Sequence, residues 1–149
     1  MKQMLVIRLS EKGREMNDYQ QMRDKNFVLP QTVYRQALYA VKDLDRLRKK
    51  LEYLREEAYE LKGRELTDIL GQTGYVSDRM ADKAVEIAST EARISAIEDA
   101  FMTIPFEYRE GIEDKLVYDV PYDMGHCINT WKKYQQILIY RVAENLRII

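Results

Sequence analysis

Five polar residues with groups suited to binding lie close together near the C-terminus. They are Asn129, Thr130, Lys132, Lys133 and Gln136. A lysine can neutralise a phosphate, and an asparagine or glutamine side chain can hydrogen-bond to the edge of a base. The same residues also have a purely structural interpretation, in which Asn129 and Thr130 cap a helix and the other three form its solvated face. The residue types alone leave both interpretations open.

The adjacent pair His126 and Cys127 is the other candidate for specific chemistry. Each is the single residue of its type in the chain, so no further His or Cys exists to complete a tetrahedral zinc site. Neighbouring side chains seldom face each other, which argues against a nucleophile and its base. The chain also has no glycine-rich phosphate-binding loop. The sequence therefore predicts a protein that is not an enzyme and has no catalytic residue, metal site or cofactor.

The composition is typical of a helix-rich protein with no membrane partner. Of the 149 residues, 46% are apolar and 33% are charged. No apolar run approaches the roughly 18 residues of a membrane span, and Met1 to Leu9 lacks the long apolar core of a signal peptide. We therefore expect a cytoplasmic location. Because the net charge is −1, any nucleic-acid-binding surface must be local.

A heptad pattern between Gln31 and Lys62 predicts one long helix, around which the rest of the chain is organised. At about 1.5 Å per residue it would span roughly 48 Å. Its first half has a broad apolar face suited to a globular core, and its second half has a narrow one suited to a single partner helix. The seam consists of Val33, Ala37, Ala40, Leu44, Leu47, Leu51, Leu54, Ala58 and Leu61.

A second periodic run predicts the partner helix. Ser77 is the expected N-cap, and the run continues to Thr103 over roughly 40 Å. Thr90 and Glu91 interrupt its apolar seam, so we expect fraying or a polar contact there. Two helices of similar length, joined by a tip between Glu65 and Gly74, predict an antiparallel hairpin. The alternative is a parallel dimer that pairs one helix from each protomer.

The C-terminal region predicts a helix pair that packs on the base of this hairpin. Pro105 opens a helix ending near Tyr118, and Asp119 to Cys127 forms a loop. Trp131 faces the core from the last helix. The fold class is thus all-α, a coiled-coil hairpin with a C-terminal helix pair. The predicted divisions are an N-terminal segment, 1–28, the hairpin, 29–103, and the C-terminal region, 104–149. Within the first of these, Met4 to Leu9 is expected to be a short strand, the start of a helix, or disordered.

Two blocks of this sequence, Leu29 to Leu47 and Ile104 to Ile149, resemble phage late-gene transcriptional activators of the RinA and ArpU type. These proteins occur in phages and mobile elements of Gram-positive bacteria, and their C-terminal ends resemble region four of bacterial sigma factors. The matching residues are Ile104, Pro105, Tyr108, Arg109, Thr130, Lys133, Tyr134, Ile139, Tyr140, Val142, Ala143 and Leu146.

The resemblance implies a transcriptional regulator in the cytoplasm of a bacterial host, acting through duplex DNA, RNA polymerase or both. It also implies DNA contacts by Asn129, Thr130, Lys132, Lys133 and Gln136. The sequence departs from the pattern because a Pro- and Gly-containing loop stands where a supporting helix is expected. The region from Glu98 to Gly125 is also strongly acidic, which opposes phosphate binding.

Two further functions are compatible with the sequence. Tyr53 and Tyr59 lie off the heptad seam, and tyrosine is enriched at protein interfaces. They predict a phage-encoded adaptor or inhibitor that binds a host protein, such as a defence nuclease, without binding DNA. A small-terminase-like packaging subunit is the third candidate, since such proteins combine helical DNA-binding ends with a coiled-coil hairpin. That function requires a homo-oligomer.

Overall fold

The computed structural model describes the backbone of residues 19–68 and 73–149, and the side chains of 19–63 and 78–149. The described elements are all helical, which confirms the all-α prediction. They are a 3₁₀ turn, Lys25–Phe27, and the helices α1, Gln31–Lys42; α2, Leu44–Asp68; α3, Thr73–Phe101; α4, Phe106–Tyr118; and α5, Ile128–Asn145. Among these described helices, none combines the length and the apolar character that a membrane crossing requires.

The chain forms two compact units, which we call the body and the hairpin. The described part of the body comprises 19–42 and 97–149, and the described part of the hairpin comprises 43–68 and 73–96. These limits differ from the predicted divisions after residues 28 and 103. In the body, α1 packs against both α4 and α5, as the apolar face of α1 predicts. The fully buried side chains at its core include Tyr34, Leu38, Val41, Ile112, Leu138, Ile139 and Val142.

The hairpin is formed by α2 and α3, which run antiparallel. Along α2, Lys50 pairs with Glu86 and Arg55 with Glu91, with N···O distances of 3.7 and 2.7 Å, and Glu57 pairs with Lys83. Leu47, Leu51, Leu54 and Ile94 are buried. Thr90 is also buried, and its hydroxyl donates to the Glu86 carbonyl at 2.8 Å. The predicted polar contact at Thr90 and Glu91 is therefore confirmed.

The structure corrects several predicted helix ends. The long helix is interrupted at Asp43, although no glycine or proline is present there. α2 continues through Gly63, where the space around the α-carbon is open and a glycine is tolerated at about 1 kcal/mol. α3 begins at Thr73, so Ser77 lies inside the helix and is not its N-cap. The alternative structures predicted for Met4 to Leu9 lie outside the described residues.

Candidate functional site

The N-terminal end of α5 carries four of the five predicted binding residues at or near the surface. Asn129 and Lys133 are exposed, whereas Thr130 and Lys132 are half-buried. The N-cap is Cys127, whose side chain makes no capping hydrogen bond. The prediction that Asn129 or Thr130 caps this helix is therefore wrong. An N-terminus without a side-chain cap retains backbone N–H groups and a positive dipole end that favour an anion.

Gln136, the fifth predicted residue, lies inside the body. Its side-chain Oε1 accepts hydrogen bonds from the backbone N–H groups of Arg23 and Asp24, at 2.8 and 2.9 Å. Its Nε2 donates to the carbonyls of Asp24 and Phe27, each at 2.9 Å. The amide thus uses both donors and both acceptor positions within the chain. Since the side chain is only 1% exposed, the structure contradicts a DNA contact by Gln136.

These bonds hold the segment 20–29, which we call the strap, against α5. The ends of the strap are joined by Gln20, whose Oε1 accepts from the Leu29 N–H at 3.0 Å and whose Nε2 donates to the Leu29 carbonyl. The Phe27 ring packs edge-on against Tyr140 at a centroid distance of 5.2 Å. Two buried glutamines therefore bond to the backbone of a segment whose own backbone pairing is limited to short turns.

The position of α5 limits how the helix could contact a nucleic acid. From Trp131 to Ala143, Lys133 is the sole exposed residue of this described stretch. The other residues of this stretch are buried or half-buried, and α5 packs on α1, α4 and the 3₁₀ turn of the strap. A recognition helix that reads the major groove along its length needs an exposed face. α5 can therefore offer only its first two turns, which contain Asn129, Lys132 and Lys133.

An aromatic cluster fixes these first turns to the preceding loop. The Trp131 ring is 3% exposed and stacks on Tyr122, with centroids 4.8 Å apart, which confirms its predicted core position. Its Nε1–H donates to the Asp123 carbonyl at 3.2 Å. The Tyr108 ring of α4 packs edge-on against Trp131 at 5.0 Å, and Gly111 gives the indole the space of a side chain. The loop between α4 and α5 is therefore attached to both helices.

The polar groups around this cluster have assigned partners. The Tyr122 hydroxyl donates to Gln135 Oε1 at 2.5 Å. Burial raises the pKa of Tyr122, and the nearby Tyr34 raises it further. His126 packs its ring against Tyr108, and Cys127 is exposed. In the described residues, no group of three or more His, Cys, Asp or Glu side chains could hold a metal ion.

A groove in the body adjoins the N-terminal end of α5, and its lysines come from three helices. They are Lys42 of α1, Lys115 of α4 and Lys132 of α5. We call it the lysine groove; its volume is about 630 Å³. The other lining residues are Gln21, Leu38, Tyr39, Leu116, Val117, Asp119, Tyr122, Ile128 and Gln135. Sequence reasoning identified Lys132 alone, because no short-range motif connects it with Lys42 or Lys115.

The hairpin carries the second set of predicted residues. Tyr53 is 60% exposed and Tyr59 is 81% exposed, both on α2. A hydrogen bond to the Glu57 carboxylate raises the pKa of Tyr53. In turn, hydrogen bonds from Lys83 and then from Tyr53 lower the pKa of Glu57. The polar end of Tyr53 is thus held within the hairpin, whereas Tyr59 has the more exposed ring.

The residues above define an all-α protein with a compact body and a helical hairpin. Comparisons with protein-family models, curated proteins and solved structures give no match. The functional assignment therefore rests on the chemistry and geometry of these residues.

Proposed function

We propose that this protein is a transcriptional regulator of a phage or mobile element that acts on duplex DNA, on RNA polymerase, or on both. The observation that carries this proposal is the pair Lys132 and Lys133 at the N-terminal end of α5, which has no side-chain cap. Two ammonium groups beside a helix N-terminus suit the phosphate backbone of DNA. Asn129, exposed in the first turn, is positioned to approach a base edge.

The lysines near this helix end favour phosphate binding, although the region from Glu98 to Gly125 is acidic and the whole chain is nearly neutral. Lys42 and Lys115 belong to the same groove as Lys132, and Lys133 follows on the surface. Among the described residues of the groove lining, Asp119 is the only one with a carboxylate. If four lysines contact phosphates, raising the salt concentration from 50 to 200 mM should lower the affinity for DNA about 100-fold. In the proposed mode of binding, the lysines contact the phosphate backbone of DNA and Asn129 contacts a base edge. Contact with the polymerase stabilises this complex.

The test is binding of the full chain to random-sequence duplex DNA over a salt series. We expect micromolar affinity at low salt, and we expect Lys132→Glu with Lys133→Glu to abolish it. The matched control is Lys25→Glu with Lys62→Glu, which changes the charge equally at two exposed positions outside this region. Absence of binding by the unmodified chain at low salt contradicts direct DNA recognition.

A protein-binding adaptor is the second candidate, favoured by the exposure of Tyr53 and Tyr59. Exposed tyrosines bury large areas at an interface with little loss of side-chain entropy. The test is direct binding of the chain to purified bacterial RNA polymerase, with Tyr53→Ser and Tyr59→Ser as the variants. Tyr19→Ser, at a tyrosine that is 51% exposed in the body, is the control. Polymerase binding that depends on the hairpin tyrosines, without DNA binding, supports the adaptor function.

A further inference from the structure

The lysine groove has the size of a small-molecule site. Its volume of about 630 Å³ lies within the range of roughly 300–1,000 Å³ that ligand pockets occupy. α1, α4, α5, the loop that follows α4 and the strap all contribute to its lining. A DNA phosphate at the protein surface would use the charge of this groove but would fill only a small part of its volume. The size of the groove therefore requires a separate explanation.

The charge of the groove selects an anion. Lys42, Lys115 and Lys132 come from three helices and line the same groove. Among the described lining residues, Asp119 supplies the only carboxylate, so lysines outnumber acids in the lining by three to one. A ligand group with two or three negative charges would complement this lining.

The rest of the lining selects a planar ring next to that charge. Tyr39 is 50% exposed, and the Lys42 ammonium lies 5.7 Å from its ring centroid. Leu38 and Leu116 are buried and give the groove an apolar part. Free phosphate or pyrophosphate would leave this ring and the apolar part unused.

Two amide side chains in the lining can recognise a polar ring edge. Gln21 is half-buried and Gln135 is 8% exposed. Because Gln135 Oε1 accepts from the Tyr122 hydroxyl, the Nε2 group of Gln135 can still donate. Donors and acceptors of this kind pair with the edge of a nucleobase. The lysines, the Tyr39 ring and the two amides thus match a charged group, a ring face and a polar ring edge of one ligand.

We infer that the lysine groove binds a nucleoside phosphate with two or three negative charges. The three lysines hold the phosphates, Tyr39 stacks on the base, and Gln21 and Gln135 hydrogen-bond to its edge. This site shares Lys42, Lys115 and Lys132 with the proposed DNA surface, whereas Asn129 and Lys133 lie outside the described lining of the groove. Nucleotide binding is measured without DNA, so its result does not depend on DNA binding by the same chain.

Calorimetric titration of the full chain with ADP, GDP, CDP and UDP tests this inference. At least one diphosphate should bind, with the corresponding nucleoside and pyrophosphate each at least about ten-fold weaker. Lys42→Ala and Lys115→Ala should each weaken binding about ten-fold, since each removes a charge-assisted hydrogen bond. Tyr39→Ala should weaken it similarly, whereas Tyr39→Phe, which retains the ring, should not.

Lys25→Ala is the matched control, since it removes one exposed lysine elsewhere in the body. Lys133→Glu separates the two sites, because it should weaken DNA binding and leave nucleotide binding unchanged. The inference is overturned if no diphosphate binds or if pyrophosphate binds equally well. Unchanged binding in the Lys42→Ala and Lys115→Ala variants overturns it too, because the nucleotide would then lie elsewhere.

Discussion

The side chain of Gln136 forms two hydrogen bonds with the backbone of Asp24, in the manner of a neighbouring strand. Its Oε1 accepts from the Asp24 N–H and its Nε2 donates to the Asp24 carbonyl, both at 2.9 Å. The same amide also bonds to Arg23 and Phe27. A single side chain from α5 thus takes the place of several backbone partners of the strap. We expect these hydrogen bonds to stabilise the packing of the strap on α5.

Substitution of Gln136 by leucine should destabilise the protein by about 2–4 kcal/mol. Leucine preserves the approximate volume, but it leaves the backbone groups of the strap without partners in a partly buried place. The measurement is the free energy of unfolding in urea. The control is Gln36→Leu on the exposed face of α1, which should change that free energy by less than about 0.5 kcal/mol. Equal effects at the two positions would contradict the proposed anchoring of the strap.

The contrast between Gln136 and Gln36 shows what the sequence could and could not predict. Periodicity predicts α2 and α5 because an apolar face repeats locally, and Pro121 with Gly125 marks the loop before α5. The bonding partners of Gln136 lie more than 100 residues away, at Asp24 and Phe27, so its residue type suggested a solvent contact. The signal available in the sequence was that Ile139 and Tyr140, three and four residues further on, place apolar side chains on the same helix face as Gln136.

The same limit applies to the lysine groove and to the helix ends. Lys42, Lys115 and Lys132 become neighbours only through tertiary packing, so no spacing in the sequence predicts them as a group. Glycines near the tip predicted a long connection, yet Gly63 lies within α2 because an isolated glycine costs a helix only about 1 kcal/mol. Local propensity was therefore a poor guide where packing or helix continuation outweighed it.

Substitution of Gly111 by alanine should destabilise the body by about 1–3 kcal/mol. A β-carbon at this position would overlap the Trp131 ring, whose Cζ3 atom would lie 2.7 Å away. The overlap outweighs the gain of up to about 1 kcal/mol in helix propensity. Thermal unfolding monitored by near-ultraviolet circular dichroism would also report the displaced indole.

Gly63→Ala provides the opposite case in α2. Apart from its chain neighbours and the backbone of its own helix, no described atom lies within 4 Å of the position of an added β-carbon, so helix propensity should stabilise the protein by up to about 1 kcal/mol. The comparison uses the same chemical change in two described helices and differs only in the available space. A stabilising effect at Gly111 would contradict the packing of Trp131 against α4.

The half-buried Tyr122 should contribute about 0.5–1.5 kcal/mol through the hydrogen bond from its hydroxyl to Gln135. Tyr122→Phe retains the ring that stacks on Trp131 and removes only this donor, so the loss should appear without a change in the indole signal. Tyr19→Phe, at a tyrosine that is 51% exposed, is the comparison. An unchanged free energy of unfolding in Tyr122→Phe would show that the bond is not stabilising.

The hairpin should lose stability in acid through Glu57. Hydrogen bonds from Lys83 and Tyr53 lower the pKa of Glu57, so its stabilising contribution is present above the unfolded-state pKa of about 4.3. The contribution is lost as the pH falls through the lower folded-state pKa, because protonation removes the charge that these donors bind. Melting temperatures measured between pH 7 and pH 2 should therefore converge for Glu57→Gln and the unmodified chain at the acidic end and differ near neutrality. Glu56→Gln, at the exposed neighbouring position, should follow the unmodified chain throughout. If Glu57→Gln does so as well, the contacts of Glu57 with Lys83 and Tyr53 do not stabilise the hairpin.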